Sequence, residues 1–450
     1  MRNLRPFVGV LGLVAALLWS DPASSQGDPD PTPPDEESVS DDPVGEEHMV
    51  DEGVLDAMAA DSLVERFGLS REEAERQVAL QEPAQVATEE LTRSIPLELQ
   101  GGFHIDRDQG GALVVSVTAA DLEIDTDGFD VPVVVRVVDQ STAELTEVSD
   151  EIRSRLSDPA ELNPIVDVAS NTVKLRLYGP AGEAAARLAD ELVATYGEAV
   201  VSIGETFASR PATRGCSPAY VYCSRPLRGG VTVIPSPMNG NWCTNGFMVR
   251  SKSDAKWYAL TAGHCAFSSS SKWRTRQYPS NTISQIGSFH NFYYGEEADT
   301  GIIKVDNPDP PSGWVPSGWV NVKASGSTTE DGTYSISGVG TAASIPMGYL
   351  LCTTGTSAGS GCGPLTGIEV CNDDSTCHLG EVDLSTCNGD SGAPFYKNHL
   401  GYGILHGGIH GNPGIVNPGM GTGSFSVSCG SPTWYQGLGA AMGHMNVELG

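Results

Sequence analysis

Three short stretches hold residue types that together could transfer an acyl group. The first is T-C-N-G-D-S-G-A-P-F-Y from Thr386 to Tyr396, where Ser391 sits between an aspartate and a glycine just after a cysteine. The second is A-L-T-A-G-H-C, in which His264 ends an apolar run and adjoins a cysteine able to pin it. The third is E-A-D-T-G-I-I-K-V, which puts Asp299 just before an apolar strand, placed to be buried. A serine becomes a nucleophile when an imidazole takes its proton, a carboxylate holds the far ring nitrogen protonated, and two donors meet the oxyanion. The turn Asn388-Gly389-Asp390-Ser391 can aim the amides of Gly389 and Ser391 into one pocket, so every requirement finds a residue, in the order His, Asp, Ser. Taken singly, G-D-S-G is also an ordinary tight turn and A-D-T-G-I-I-K-V is a weak pattern. L-T-A-G-H-C carries more, and the ordered set carries most. A serine esterase on another fold would want a G-x-S-x-G elbow with the histidine last, and the order here is reversed.

The elements that must position these residues fall in one half of the chain. Of 450 residues, the first 211 hold 42 of the 57 Asp and Glu and 14 of the 26 Lys and Arg, a net −28 of the total −31. All ten cysteines lie beyond them, from Cys216 to Cys429. Length alone suggests about three units, and the change in composition sets a border near residue 212. Strong acidity argues against a nucleic-acid partner. An even cysteine count confined to one half reads as disulfides made in an oxidising compartment; a zinc site would want Cys-x-x-Cys pairs, and none occurs.

Beyond Cys216, short apolar runs such as V-T-V-I, Y-A-L-T, G-I-I-K-V and G-Y-G-I-L-H are broken at intervals of about 8 to 12 residues by turn signals, the pattern of an all-β sandwich or barrel. Only Pro432 to about Val447 reads as helical. The acidic half alternates instead. Met49 to Leu91 suits two amphipathic helices, with Ser70 and Glu73 placed as a capping box for the second. Leu113–Val117 and Val131–Val138 read as strands, Glu144–Leu156 as a helix, Thr172–Tyr178 as a strand, Gly182–Tyr196 as a helix and Val200–Ile203 as a strand. That alternation suggests small α+β or α/β units, with room for two in tandem.

Residues 1–25 join Arg2 and Arg5, an apolar run from Phe7 to Trp19, and the small residues Ala23, Ser24 and Ser25. This is the pattern of a cleaved signal peptide, the run being short for a bilayer span; an uncleaved anchor is the alternative. Residues 26–47 combine prolines and acids with few apolar groups and read as an extended linker. No other stretch approaches ~18 consecutive apolar residues, so a soluble product outside the cell is expected.

The motifs resemble those of the chymotrypsin-like (trypsin-like) serine peptidases, above all the secreted bacterial branch with the streptogrisins and α-lytic protease, which carry similar L-T-A-G-H-C, D-x-G-I and G-D-S-G segments. The resemblance implies that His264 is the general base and then acid, that Asp299 orients its imidazole, and that Ser391 is the nucleophile. It implies an oxyanion hole made by the amides of Gly389 and Ser391. The implied fold of residues 212–450 is all-β, two six-stranded antiparallel β-barrels with the triad in the cleft between them, and a C-terminal helix. Substrate binding would fall to Ser385 at the base of the primary pocket, Asn388, His406, and the backbone of Gly407 and Gly408. The implied disulfides are Cys243–Cys265, Cys352–Cys362 and Cys387–Cys429, with the remaining sequence neighbours paired as Cys216–Cys223 and Cys371–Cys377. No cofactor or metal is implied.

Residues 48–211 are similar to the pro-region of that branch, in D-x-x-x-x-x-F-G-L-S-R-E-E-A-E, F-H-I-D-R-D-Q-G-G-A-L-V-V-S-V-T and N-T-V-K-L-R-L-Y-G-P-A-G-E-A-A-A-R-L. The resemblance implies an α+β foldase and inhibitor with an N-terminal helical part, cut away between Pro211 and Gly215. Double barrels are rich in non-local pairings that fold slowly unless something templates them. Partners would then be protein or peptide substrates and, before processing, the chain's own pro-region; a monomer without stable membrane insertion is expected.

Departures from the family pattern bear on substrate choice. Ala393 replaces a usual second glycine, one methyl larger and without glycine's entropic cost. His406 stands where a serine commonly supports the aspartate; it would hydrogen-bond Asp299, help read the substrate side chain, or simply be packed and satisfied. The Gly-rich stretch from Ile409 to Ser428 is long for a loop flanking the specificity pocket. Ser385 in place of a carboxylate argues against Arg or Lys at P1 and for an apolar or aromatic residue, with an acidic P1 as runner-up because a histidine is near. Asp390 would want an internal cation, which the sequence does not name. Asn372-Asp373-Asp374 reads as a solvated turn sooner than a calcium site, and Trp314 and Trp319 as packing or connector residues. A binding module that has lost triad members is the non-enzymatic alternative; here all three members are present.

Overall fold

Strands buried along most of their length close on themselves in the C-terminal half, because a sheet closed into a barrel has no open edges. The computed structural model describes residues 49–156, 162–177, 183–203, 227–236, 242–266, 272–276, 283–306, 316–323, 331–372, 376–409, 412–416 and 425–450. The expected signal peptide and linker, the region 211–215, the pair Cys216–Cys223, Trp314, Asp373 and Asp374 lie outside the described residues.

The first barrel runs, in spatial order, through Thr232–Ser236, Lys272–Arg276, Ile283–Gly295, Ala298–Val305, Trp257–Thr261 and Phe247–Ser251. Its seam is bridged by Cys243–Thr244, which pairs with Thr232 and Val233 and enters Phe247–Ser251 after only Asn245 and Gly246. Val233, Met248, Ala259, Trp273, Ile286 and Ile303 fill it. The second barrel joins Leu350–Gly355, Gly359–Val370, Leu379–Val382, Thr433–Gly437, Leu400–Gly408 and Pro394–Lys397; pairing of Leu400–Gly408 with Thr433–Gly437 closes the ring. Tyr349, Leu351, Phe395, Leu405 and Tyr435 occupy its core. Each such side chain taken out of water contributes about 1.5–3 kcal/mol.

The helix expected from Pro432 to Val447 is shorter than that. Thr433–Gly437 is a strand, its Thr, Trp and Tyr suited to a pleated buried surface, and it is the strand that closes the second barrel. Only Leu438–Met445 is helical, and Val447–Leu449 returns as a strand on the edge of the first barrel.

The N-terminal half begins with three helices rather than the two expected: α1 Glu52–Phe67, α2 Arg71–Ala79 and α3 Gln81–Ser94. Pro83 explains the break, since it has no N–H to continue α2 but is tolerated in the first turn of a new helix. Ser70 caps α2 by accepting the Glu73 amide at 3.2 Å, yet the Glu73 carboxylate turns to Arg76 and Gln77, so the capping box is half made. A complete box forms instead at Ser141 and Glu144, opening α4 Thr142–Arg155. Two three-stranded sheets follow the helices. Gln100–Asp106, Ala112–Val117 and Val133–Val137 form one; Leu162–Asp167, Thr172–Leu177 and Val200–Ile203 form the other, with α5 Glu183–Tyr196 connecting its parallel pair. In each sheet the first two strands are antiparallel and the last two parallel.

From Glu46 onward the chain is one compact unit. Leu55, Met58 and Leu63 of α1 share a hydrophobic cluster with Leu350, Cys352, Cys362 and Tyr396 of the second barrel. Ile105 and Phe103 exchange backbone hydrogen bonds with Met347, at 2.8 and 3.0 Å. Lys397 of the barrel, 2% exposed at its side chain, forms ion pairs with two acids of α1, Glu52 and, at 2.6 Å, Asp56. Arg176 pairs with Glu381, whose side chain is fully buried and also accepts from Trp434 Nε1 at 3.1 Å. Among the described residues no helix is long and apolar enough to cross a membrane.

A buried carboxylate stripped of its cation is costly. In the full chain, Arg176→Met should lower stability by about 3–5 kcal/mol in urea titrations, and adding Glu381→Gln should recover most of it. Equal stability of the single and double variants would show that the pair does not hold the halves together.

Candidate active site

Each of the three sequence motifs places its residue at the end of a strand, where a side chain can leave the ladder. His264 lies in the single turn Gly263–Cys265, one residue after Trp257–Thr261, and Cys265 is bonded to Cys243 of the short strand Cys243–Thr244. Asp299 is the second residue of Ala298–Val305 and is 0% exposed. Ser391 follows the strand Thr386–Cys387, and Cys387 is bonded to Cys429. Two further disulfides, Cys352–Cys362 and Cys371–Cys377, lie on the second barrel and its loop.

These elements bring the three side chains into one hydrogen-bonded line. His264 Nε2 is 2.8 Å from Ser391 Oγ and His264 Nδ1 is 2.7 Å from Asp299 Oδ2, while the His264 amide donates to Asp299 Oδ1 at 2.8 Å. His406, buried, also reaches the carboxylate, with Nδ1 2.6 Å from Oδ2. Burial by itself would raise the Asp299 carboxyl; His264 and His406 outweigh it and hold it well below the ordinary carboxylate range. Asp299, His264 and His406 cluster closely enough for a metal, but both ring nitrogens aim at one carboxylate oxygen at N–H···O distance, and metal ligands would converge on a common point between them.

Backbone geometry after Cys387 is set by pinned carbonyls. The Asn388 carbonyl accepts from Ser357 Oγ at 2.8 Å and the Asp390 carbonyl from the Ala393 amide at 2.8 Å. In trans peptides the next amides, those of Gly389 and Ser391, point away from those partners, and neither donates to another group among the described residues. Gly389 has φ +100°, and a Cβ there would lie 2.1 Å from Trp242 Nε1. Gly392 has φ +87°, with Thr261 Oγ1 2.2 Å from the position of a Cβ. Both positions demand glycine. Ala393 does not: its methyl is fully buried in the second core.

Asp390 is held by backbone donors. No internal cation meets it among the described residues; its carboxylate accepts three backbone amides instead, from Ser357 at 2.5 Å, Ala358 at 3.1 Å and Cys387 at 2.8 Å. Thr244, Ser357 and Ala358 had no sequence signature, because they act through backbone groups or short hydroxyls; Thr244 donates to the carbonyls of Ser391 and Gly389, at 2.8 and 3.0 Å.

Around the expected primary pocket, Gly407 and Gly408 lie opposite Trp434 and Thr433, and Asn388 is exposed. Thr433 Oγ1 donates to the Leu384 carbonyl at 2.6 Å and lies 2.8 Å from Thr386 Oγ1. The Ser385 hydroxyl is buried and meets no hydrogen-bond partner among the described residues. Asp383, the nearest carboxylate in sequence, turns to Ser431 and to Arg66 of α1, at 2.5 and 2.7 Å.

Residues 238–428 match the family model described as Trypsin. The chain carries a trypsin-family domain. It is a serine-type endopeptidase, and protein substrates follow from the family. The chain is similar to the solved structure of Nocardiopsis protease (NAPase), 23% identical, covering 50% of this chain and 98% of that one at a TM-score of 0.35. Thermobifida fusca protease A is 19% identical, with 50% and 97% covered and a TM-score of 0.34. A glutamic acid specific serine protease, reported to use a histidine triad in substrate binding, is 19% identical, with 50% and 100% covered and a TM-score of 0.36. No curated protein matches the chain in sequence.

Burial pushes the Asp390 carboxyl up to about 6 in spite of its three amide donors. The folded value lies above the unfolded one, so the native state binds the extra proton; this contribution is complete below the unfolded value near 3.8 and is lost as pH rises to about 6. Relative to Asp390→Asn, the unaltered chain should lose about 2 kcal/mol of stability between pH 4 and 7 in urea titrations. Parallel pH profiles for the two would refute the assignment.

Proposed function

We propose that the protein is a secreted endopeptidase, made as a pro-enzyme, that cleaves peptide bonds through an acyl-enzyme on Ser391. The single observation carrying this reading is the continuous line from Ser391 Oγ through His264 to the buried Asp299. His264, with its proton on Nδ1, accepts the Ser391 proton at Nε2 as Oγ bonds to the substrate carbonyl carbon. The developing oxyanion takes the amides of Gly389 and Ser391. His264 then returns the proton to the leaving amine, and a water repeats the sequence to free the acid and restore Ser391. Asp299 stays ionised throughout, stabilising the imidazolium.

Residues 48–211 act as pro-region in this reading, supported by α1 and the sheet strand Gln100–Asp106 seated on the second barrel. Secretion is supported by the disulfides, which need an oxidising compartment. The P1 preference is apolar or aromatic, because Ser385, Thr386 and Thr433 offer no carboxylate to a basic side chain and Asp383 is turned away.

A fluorophosphonate should label the secreted enzyme once, at Ser391. Asp299→Asn should lower kcat about ten-thousandfold with the fold intact. Label elsewhere, or none, would sink the triad. Against peptides that differ only at P1, Phe, Tyr or Leu should be cleaved fastest; fastest cleavage after Arg, Lys or Glu would overturn the pocket assignment.

A further inference from the structure

We infer that Asn372, on the loop closed by the Cys371–Cys377 disulfide, is a positioning residue for catalysis: through His406 it sets the tautomer that donates to Asp299. The inference rests on the triad reading above and extends it by two residues. The amide of Thr376 donates to Asn372 Oδ1 at 2.9 Å, and the Asn372 amide donates to the Thr376 carbonyl at 2.9 Å. The oxygen of the Asn372 side chain is thereby assigned, and the atom facing His406 Nε2 is Nδ2. Nδ2 can only donate, so Nε2 must accept. A neutral imidazole whose Nε2 accepts carries its proton on Nδ1, and that proton points at Asp299 Oδ2, 2.6 Å away.

Two imidazoles with the same tautomer therefore share one carboxylate oxygen, their ring centroids 5.9 Å apart and their planes at 83°. Protonation of His406 at Nε2 would place a second cation on Asp299, in competition with the His264 imidazolium that forms during acylation. The Asn372 amide opposes it by presenting N–H to that nitrogen, and the disulfide loop holds Asn372 there. The same loop explains a cysteine pair and an asparagine that otherwise have no part in the chemistry.

The test is read on enzyme expressed from the full chain. Nitrogen NMR of histidine-labelled enzyme should show both His264 and His406 as Nδ1–H tautomers; His406 as Nε2–H would overturn the inference without any variant. His406→Leu should lower kcat about ten- to a hundredfold with KM within about twofold, the loss of one hydrogen bond to a buried charge. His406→Asn, whose amide nitrogen overlies Nδ1, should recover kcat to within about threefold, and Asn372→Leu should lower kcat about three- to tenfold. A rise in KM at constant kcat would make His406 a substrate contact instead, and equal kcat for Asn372→Leu and the unaltered enzyme would remove Asn372. Failure of the unaltered enzyme to react with a fluorophosphonate at Ser391 would sink the triad reading itself; a reactive enzyme with an Nε2–H His406 would sink only this extension.

Discussion

A carboxylate with no access to water governs this active site. Asp299 is wholly buried, and an ionised carboxylate in such a place persists only where its lone pairs are met by donors. The His264 amide and two imidazoles meet them. Satisfying that one group sets the turn carrying His264, the ring orientation that faces Ser391, and the place of His406 on the second barrel. Because Asp299 belongs to the first barrel and Ser391 and His406 to the second, the site exists only where both barrels are in register.

A second set of buried charges joins the acidic N-terminal half to the second barrel. Lys397 and Glu381 have side chains at 2% and 0% exposure, and the counter-charges come from Glu52, Asp56 and Arg176. Charges of this kind add little net stability but penalise any wrong docking severely. They register the N-terminal half on strands Leu379–Val382 and Pro394–Lys397, which pair with the sequence-distant Thr433–Gly437 and Leu350–Gly355, and such non-local pairings form slowly. Asn163 of the same half donates to the Cys371 carbonyl, beside the loop residue that reaches His406. The acidic composition of the first 211 residues thus has a structural use as well as a solubilising one.

Much of this was legible from residue types. Short apolar runs between turn signals marked the barrels, and G-D-S-G needed its glycines because a Cβ at Gly389 or Gly392 would strike Trp242 or Thr261. Strands were less readable where polarity or proline blurred the alternation, as in Gln100–Asp106 and Leu162–Asp167. Thr433–Gly437 passed for helix because its role as the closing strand depends on neighbours far away in the chain. The partners that Asp390 meets among the described residues were unreadable for a related reason: they are backbone amides, which leave no trace in a sequence.

By itself, then, the sequence determined the chemistry on offer: a hydroxyl, an imidazole and a carboxylate in a fixed order, on a cysteine-rich β half preceded by an acidic α+β half. Those follow from side-chain type and local periodicity, which are properties of neighbouring residues. Tertiary structure decided the rest, because distance and burial are properties of residues far apart in the chain. Only folding puts His406 and Asn372, 107 and 73 residues from Asp299, into one hydrogen-bonded chain with it. The histidine that sequence left between substrate reader, support and filler is, in the folded chain, bonded to the buried aspartate.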